Sequence, residues 1–266
     1  MWNDNEKKPI WQYLGLTFLI AWVCEAILIL GERLGILTGT VGVAITFIVI
    51  GLGAGFAPAY ATIILLKKHG QLHGWKDLCG RIFSANHGLK SFVILFVFFC
   101  SQLTVQILCS DYSGAPWYLF ILYLPVMIFG GGIEEIGWRG FFQPALEEKF
   151  PFFAAGFITG VVWAVWHFPL WFIQNANQSS MNFLSFLLGC IVMAFVFAAL
   201  YKLTKSVFAC ILLHAWSNVL SQMFTMDMLT KQPDIKLIAL YAIEIIASIL
   251  IFAYADKRNQ KTASPA

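Results

Sequence analysis

The chain has 266 residues, of which 59% are hydrophobic and only 12% are charged, and its formal net charge is +3. Soluble domains carry about 25% charged residues, so this composition, with a mean hydropathy of +0.76, excludes a soluble globular protein. The small positive excess follows membrane topology and gives no indication of nucleic-acid binding. We expect one membrane domain over residues 1–266, with lipid as a partner.

Eight apolar segments follow one another along the chain. Each is close to the ~20 residues with which a helix crosses a ~30 Å hydrocarbon core. They predict an all-α, multi-pass membrane protein with about eight transmembrane helices. The segments are 10–30, 41–66, 89–109, 117–133, 152–173, 182–200, 206–223 and 236–255.

The distribution of Lys and Arg predicts the orientation of these spans. With the N-terminus in the cytoplasm, 14 of the 17 basic residues fall in cytoplasmic segments, although one of these, Arg139, can lie within the membrane. The outer segments hold Arg33, Lys231 and Lys236. The positive-inside rule therefore predicts a cell-membrane protein with both termini in the cytoplasm.

The longest polar stretch, residues 67–90, contains His69, His73 and His87 among apolar residues. We interpret it as a solvated loop. An interfacial amphipathic helix is an alternative, and the histidines leave a metal site conceivable.

The fourth span contains a glycine triplet, Gly130-Gly131-Gly132, immediately before two glutamates. Glycine lowers helix propensity and lets backbones approach closely. We therefore predict that the helix kinks or loosens at the triplet. A second, amphipathic portion should follow and continue through Glu147-Glu148-Lys149.

Glu134 and Glu135 are adjacent, so their side chains point about 100° apart on a helix. Arg139 lies four residues after Glu135, a spacing that favours an ion pair between them. Glu134 then remains available as an acid or base. A charge cluster that caps a helix end at the membrane surface is the alternative interpretation.

Each of two later spans carries one histidine. His167 shares a helix face with Trp163 and precedes Pro169, whereas His214 shares a face with Asn218. Imidazole and carboxamide on one face can donate hydrogen bonds to a developing oxyanion. Structural hydrogen bonds between helices would explain the same residues without catalysis.

Together these motifs place an acid pair, a base and two imidazoles in apolar spans, where ionisable groups are costly and usually functional. The set resembles the CAAX protease and bacteriocin-processing family, also called Abi. Its pattern is Glu-Glu-x-x-x-Arg, Phe-x-x-x-His and His-x-x-x-Asn. Trp163 stands where the family usually has phenylalanine, which leaves only packing or substrate contact at that position in question. The matching core is about residues 117–220.

This resemblance implies an intramembrane glutamic endopeptidase related to the type II CAAX prenyl endopeptidases. Glu134 would then activate water with the assistance of His167. His214 and Asn218 would stabilise the oxyanion, and Glu135 and Arg139 would support the site. We expect these four catalytic residues to converge on one polar cavity that opens toward the cytoplasm.

The short loops resemble the bacterial branch of the family, for which we expect a peptide or membrane-protein substrate without a prenyl group. That branch is linked to bacteriocin maturation, immunity and surface-protein processing. A non-proteolytic immunity or scaffold protein and a proton-coupled transporter remain alternatives, although no internal repeat favours the transporter.

We expect no cofactor and no metal at the site. Zinc held by Glu134, His167 and His214 is the alternative, since two histidines and one carboxylate form a known zinc ligand set. Two further membrane-embedded acids, Glu25 and Glu244, lie outside the motifs and receive no catalytic role.

Overall fold

The computed structural model of the protein describes residues 8–84, 88–225 and 227–263, without the side chains of residues 258–263. Within this part of the chain the fold is all-α, and extended backbone pairs only at a bridge between Tyr112 and Phe224. Seven helical stretches are long and apolar enough to cross a membrane, and an eighth apolar helix is shorter. The predicted all-α, multi-pass architecture is confirmed.

The helical elements follow the predicted spans in order. The α-helices are α1 (Ile10–Arg33), α2 (Gly39–Ile48), α3 (Ala57–Lys68), α4 (Trp75–Phe83), α5 (Leu89–Cys109), α6 (Leu119–Phe129), α7 (Glu135–Gly137), α8 (Gln143–Glu147), α9 (Phe152–Trp166), α10 (Phe183–Thr204), α11 (Val207–Met223), α12 (Asp227–Thr230) and α13 (Ile235–Ala263). A π-helical turn, Val49–Ala54, lies between α2 and α3, so that these helices form one span.

The interpretation of the polar stretch between α3 and α5 as a solvated loop is wrong in part, because the stretch contains the short helix α4. Leu78 and Ile82 of α4 are buried in a cluster that includes Val207 of α11. Asp77 and Arg81 form an i, i+4 ion pair at 2.7 Å. The stretch therefore contains an amphipathic helix, which is stabilised by the burial of one apolar face and by the ion pair.

The candidate spans that contain α9 and α10 are the most buried, and together with α11 and the segment from α7 to α8 they form the centre of the bundle. At Gly160 of α9, an added Cβ would lie 2.9 Å from the backbone nitrogen of Ile191 in α10. The two helices therefore approach closely at this small residue, as is common between membrane helices. Large exposed apolar side chains lie mainly on the surrounding helices, which suits contact with lipid.

One end of the bundle collects most of the positive charge, and we call it the basic face. Contacts between sequence-distant residues define this end: Lys8 pairs with Glu148, and Lys202 pairs with Asp256 at 2.7 Å. Its described basic residues are Lys8, Lys67, Lys68, Lys76, Arg81, Lys90, Lys149, Lys202, Lys205 and Lys257.

The other end, which we call the distal face, is held together by contacts between its loops. The carboxylate of Glu32 at the end of α1 accepts from the backbone N–H of Gln174 at 2.8 Å. The backbone N–H of Asn182 donates to the carbonyl of Leu229 at 2.7 Å. Its loops carry fewer basic residues, namely Arg33, Lys231 and Lys236.

Candidate active site

The glycine triplet ends helix α6 at Phe129, as predicted. Gly131 has a φ of +156°, a backbone conformation that favours glycine. A 3₁₀ turn (Gly132–Glu134), α7, a π-helical turn (Trp138–Phe142) and α8 then carry the chain to the basic face. Short π-helical turns often occur at functional sites, because they redirect side chains within a helix.

Two indole groups hold the carboxylate of Glu134. Its Oε2 accepts a hydrogen bond from Nε1 of Trp163 at 2.9 Å and a longer one from Nε1 of Trp138 at 3.3 Å. Glu134 is 5% exposed and lines the central cavity. The two donors restrict the orientation of this carboxylate on one side and leave its cavity side for a ligand.

Glu135 lies at the centre of a buried charge network. Its Oε1 and Oε2 lie 3.1 and 3.0 Å from Nη1 of Arg139, which confirms the predicted pair. Its Oε1 also lies 3.0 Å from Nδ1 of His214. The guanidinium of Arg139 stacks over Phe197, 4.6 Å from the ring centroid. Glu135 therefore connects the arginine to the second motif histidine.

His167 is oriented by the backbone of its own helix. Its Nδ1 lies 2.9 Å from the carbonyl oxygen of Trp163. A carbonyl oxygen only accepts hydrogen bonds, so Nδ1 carries the proton and Nε2 of the neutral ring is the basic atom. The ring lines the same cavity as Glu134.

His214 and Asn218 face the backbone of the glycine triplet. Nδ2 of Asn218 donates to the carbonyl oxygen of Gly130 at 3.3 Å, and the amide has a second N–H. A Cβ added to Gly131 would overlap Nδ2 of Asn218 and lie 3.1 Å from Nε2 of His214. The missing side chain of Gly131 therefore leaves space beside two potential hydrogen-bond donors.

One cavity of about 660 Å³ is lined by all four residues to which the sequence analysis assigned catalysis, Glu134, His167, His214 and Asn218. Their predicted convergence is confirmed. The predicted polar character is wrong, because most of the lining is apolar and includes side chains such as Phe186. The spans contribute aliphatic and aromatic side chains that surround the small polar group formed by these four residues.

The cavity extends toward the distal face. The loop residues Asn175–Gln178 and Thr225 contribute to its lining, whereas none of the basic residues of the basic face is among its described lining residues. The expected opening on the side of the basic loops is therefore wrong.

An aromatic layer separates this inner end from the basic face. The ring of Tyr13 stacks on Phe141 and Phe142, with centroid distances of 4.9 and 5.6 Å, and meets Trp138 edge-on at 6.0 Å. All four side chains are 0–1% exposed. The layer is therefore packed too densely to continue the cavity.

A comparison with protein families supports the resemblance that the motifs indicated. Residues 116–220 match the family model described as Type II CAAX prenyl endopeptidase Rce1-like. The resemblance to the CAAX protease family is confirmed. The chain is also 27% identical to the CAAX prenyl protease 2 of Methanococcus maripaludis over 225 residues, which cover 77% of this chain and 81% of the relative. These similarities support membrane endopeptidase activity.

Trp163 departs from the CAAX protease pattern, and its role goes beyond packing or substrate contact. Its indole N–H donates the shorter of the two hydrogen bonds that Glu134 accepts. The ring also meets the rings of His167 and His214 edge-on, at 5.9 and 5.3 Å. A buried indole N–H needs a hydrogen-bond acceptor. Tryptophan in place of phenylalanine at position 163 was therefore a sign in the sequence of an additional hydrogen bond, which phenylalanine cannot form.

The acids outside the CAAX protease motifs have different surroundings. Glu244 lines the cavity and accepts a hydrogen bond from Nε2 of Gln102 at 2.7 Å. Glu25 is 1% exposed, and the structure gives no hydrogen-bond partner for its Oε2.

Two parts of the sequence contain residues that can bind a metal, namely the motif residues Glu134, His167 and His214 and the polar stretch 67–90. Among the described residues, no group of three or more His, Cys, Asp or Glu side chains is arranged to hold a metal ion. His69 and His73 are described, whereas His87 lies outside the described residues.

Proposed function

We propose that the protein is an intramembrane endopeptidase that hydrolyses peptide bonds of membrane-associated proteins or peptides with water activated by Glu134. The observation that carries this proposal is the cavity shared by an oriented carboxylate, a basic imidazole nitrogen and two hydrogen-bond donors. Hydrolysis of an amide needs these groups around one carbonyl, as general base and oxyanion stabilisers.

In the first step, a water molecule lies between Glu134 and Nε2 of His167. Glu134 takes one proton from this water as the oxygen attacks the carbonyl carbon of the substrate. His167 accepts a hydrogen bond from the water and orients its lone pair. The carbonyl double bond opens, and the negative charge moves to the carbonyl oxygen.

The oxyanion then occupies the space beside Gly131. The second N–H of Asn218 and Nε2 of His214 donate to it. Because Nδ1 of His214 faces the carboxylate of Glu135, a donating Nε2 requires an imidazolium with both nitrogens protonated.

In the second step, the carbon–nitrogen bond breaks and the carbonyl double bond forms again. The proton held by Glu134 moves to the leaving nitrogen. The products are a carboxylic acid and an amine, and Glu134 is again a carboxylate. Neither a covalent intermediate nor a cofactor takes part in this sequence.

The substrate is a peptide or membrane protein whose scissile segment enters an apolar cavity. The cavity lining suits apolar side chains, and nothing in the mechanism requires a prenyl group. Bacteriocin maturation, immunity and surface-protein processing are the corresponding roles. The relative from Methanococcus maripaludis is named for prenylated substrates, so peptides with and without a prenyl group belong in one test.

The test is a cleavage screen with the purified protein in lipid nanodiscs, using membrane-associated peptides of the host and matched prenylated peptides. We expect cleavage by the wild type and none by Glu134→Ala. Mass spectrometry of the products identifies the bond, and cleavage in ¹⁸O-labelled water should introduce one ¹⁸O into the new carboxyl group. A folded wild-type protein that binds a peptide without cleaving it would instead support the immunity or scaffold alternative.

Replacing Trp163 by Phe is expected to lower kcat about tenfold, which corresponds to about 1.4 kcal/mol. The ring is retained, but the hydrogen bond that orients the carboxylate of Glu134 is lost. KM should change less than twofold, and the melting temperature should remain within a few degrees of the wild type. Equal kcat values in steady-state cleavage assays would show that this hydrogen bond has no role in positioning.

Gly131→Ala is expected to reduce kcat at least 100-fold, because the new methyl group would displace Asn218 and His214. Gly130→Ala is the matched control. It lies one residue earlier, and an added Cβ there meets no heavy atom closer than 3.4 Å. Steady-state cleavage by both variants measures the difference. Similar losses in the two variants would indicate a general requirement for flexibility in the triplet.

We expect the activity to survive chelation, because the proposed water is held by Glu134 and His167 alone. The measurement is cleavage before and after dialysis against a strong chelator, with the zinc content determined by mass spectrometry. Loss of activity on chelation, recovery with zinc and one tightly bound zinc per protein would replace this mechanism by a metal-dependent one. The endopeptidase assignment would remain in that case.

A further inference from the structure

The orientation of the bundle and the position of the cavity together indicate the side from which a substrate arrives. The basic face contains the ends of α3, α8 and α10 and the start of α1. In membrane proteins, loops rich in Lys and Arg remain in the cytoplasm. The basic face is therefore the cytoplasmic one, and the distal face lies outside the cytoplasm.

The cavity lies on the distal side of the active-site residues. In α5 the lining residues are Gln102, Val105 and Gln106, all in the second half of the helix, which ends at the distal face. In α13, which starts at the distal face, they are Tyr241 and Glu244, in the first half of the helix.

Helix α11 shows the same distribution around the site itself. His214 lies near the middle of the helix, and Ser217 and Ser221 line the cavity on the distal side of it. At about 1.5 Å per residue, His214 lies ~14 Å from the distal end of the helix. Access from the distal face therefore crosses about half of the membrane.

The opposite route is blocked by packed side chains. From Trp138 to Phe142, every residue is buried, and Arg139 is fully enclosed. A separate depression at the basic face, lined by residues such as Lys202 and Glu147, shares no described lining residue with the central cavity.

We propose that the substrate reaches Glu134 from the extracytoplasmic side. Its scissile segment would be an apolar stretch of a membrane-anchored peptide located in the outer half of the bilayer. This inference rests on the proposed function, because only an enzyme has a substrate. The side from which the cavity is accessible does not depend on catalysis. A lipid-modified tail presented in the cytoplasm would face the packed aromatic layer instead.

The inference is tested by thiol labelling with a membrane-impermeant sulfonated maleimide. Two single-cysteine proteins are compared, in which the remaining native cysteines are replaced by Ala. One carries Ser221→Cys in the cavity, and the other retains Cys79, which lies in α4 at the basic face. Labelling is measured in spheroplasts, in which the outer surface is exposed, and in inverted membrane vesicles.

We expect Ser221→Cys to be labelled at least tenfold faster in spheroplasts than in inverted vesicles, and Cys79 to show the reverse. Labelling of both cysteines only in inverted vesicles would overturn the inference, as would a Ser221→Cys thiol that reacts from neither side. Should Ser221→Cys fail to fold, Asn177→Cys on the distal rim of the cavity replaces it.

The labelling result separates this inference from the proposed function. A protein that is labelled from outside but cleaves no peptide contradicts the endopeptidase proposal and leaves the direction of access intact. A protein that cleaves peptides but is labelled only in inverted vesicles contradicts the direction of access alone.

Discussion

Glu134→Gln is expected to lower kcat by about 100- to 10,000-fold, the range typical for loss of a general base. Glutamine has nearly the same shape and still accepts hydrogen bonds from Trp163 and Trp138, but it cannot take a proton from water. The fold should therefore be retained, with a melting temperature close to that of the wild type. The measurement is steady-state cleavage in nanodiscs together with thermal unfolding.

Glu244→Gln is the matched control for this experiment. Glu244 is also a glutamate that lines the cavity within a membrane span, and it accepts a hydrogen bond from Gln102. We expect kcat of this variant to remain within about threefold of the wild-type value. Should Glu244→Gln lose as much activity as Glu134→Gln, or should Glu134→Gln remain active, Glu134 is not the specific base.

Arg139→Ala is expected to destabilise the protein by about 3–5 kcal/mol, because it leaves the buried carboxylate of Glu135 without its cationic partner. Arg139 and Glu135 are both 0% exposed, so solvent cannot replace the lost interaction. The measurement is the unfolding of the protein as the proportion of a denaturing detergent is increased. Unfolding at the wild-type midpoint would show that the pair contributes nothing to stability.

A double replacement separates stability from catalysis in this network. Glu135→Met with Arg139→Leu removes both charges, and we expect it to recover most of the stability lost in Arg139→Ala. Cleavage should remain impaired, because His214 would lack the carboxylate that holds its Nδ1–H. Recovery of both stability and full activity would limit Glu135 to a structural role.

Much of the fold was predictable, because the length and hydropathy of each span depend on local composition. The segment predicted at 89–109 coincides with α5, Leu89–Cys109. The Glu135–Arg139 pair was predictable from i, i+4 spacing for the same reason. The three motifs also predicted which distant residues share a cavity, because polar side chains buried in membrane spans need partners.

Contacts between helices were not predictable in detail. The hydrogen bond from Trp163 to Glu134 joins residues 29 positions apart in the chain. It depends on the rotation of α9 against the irregular segment after the glycine triplet, which no periodicity specifies. The direction of the cavity was missed for a related reason, since hydropathy locates a span without showing which half of it packs against its neighbours.

The aromatic layer of Tyr13, Trp138, Phe141 and Phe142 has an electrical consequence for the proposed access route. If water from outside fills the cavity, the electrical potential at Glu134 is close to that of the outer solution. Most of the transmembrane voltage then falls across the sealed layer, where moving one charge through 100 mV costs about 2.3 kcal/mol. Protons exchanged between Glu134 and the outer solution cross little of this field. The protein could therefore hydrolyse peptides deep in an energised membrane without discharging it.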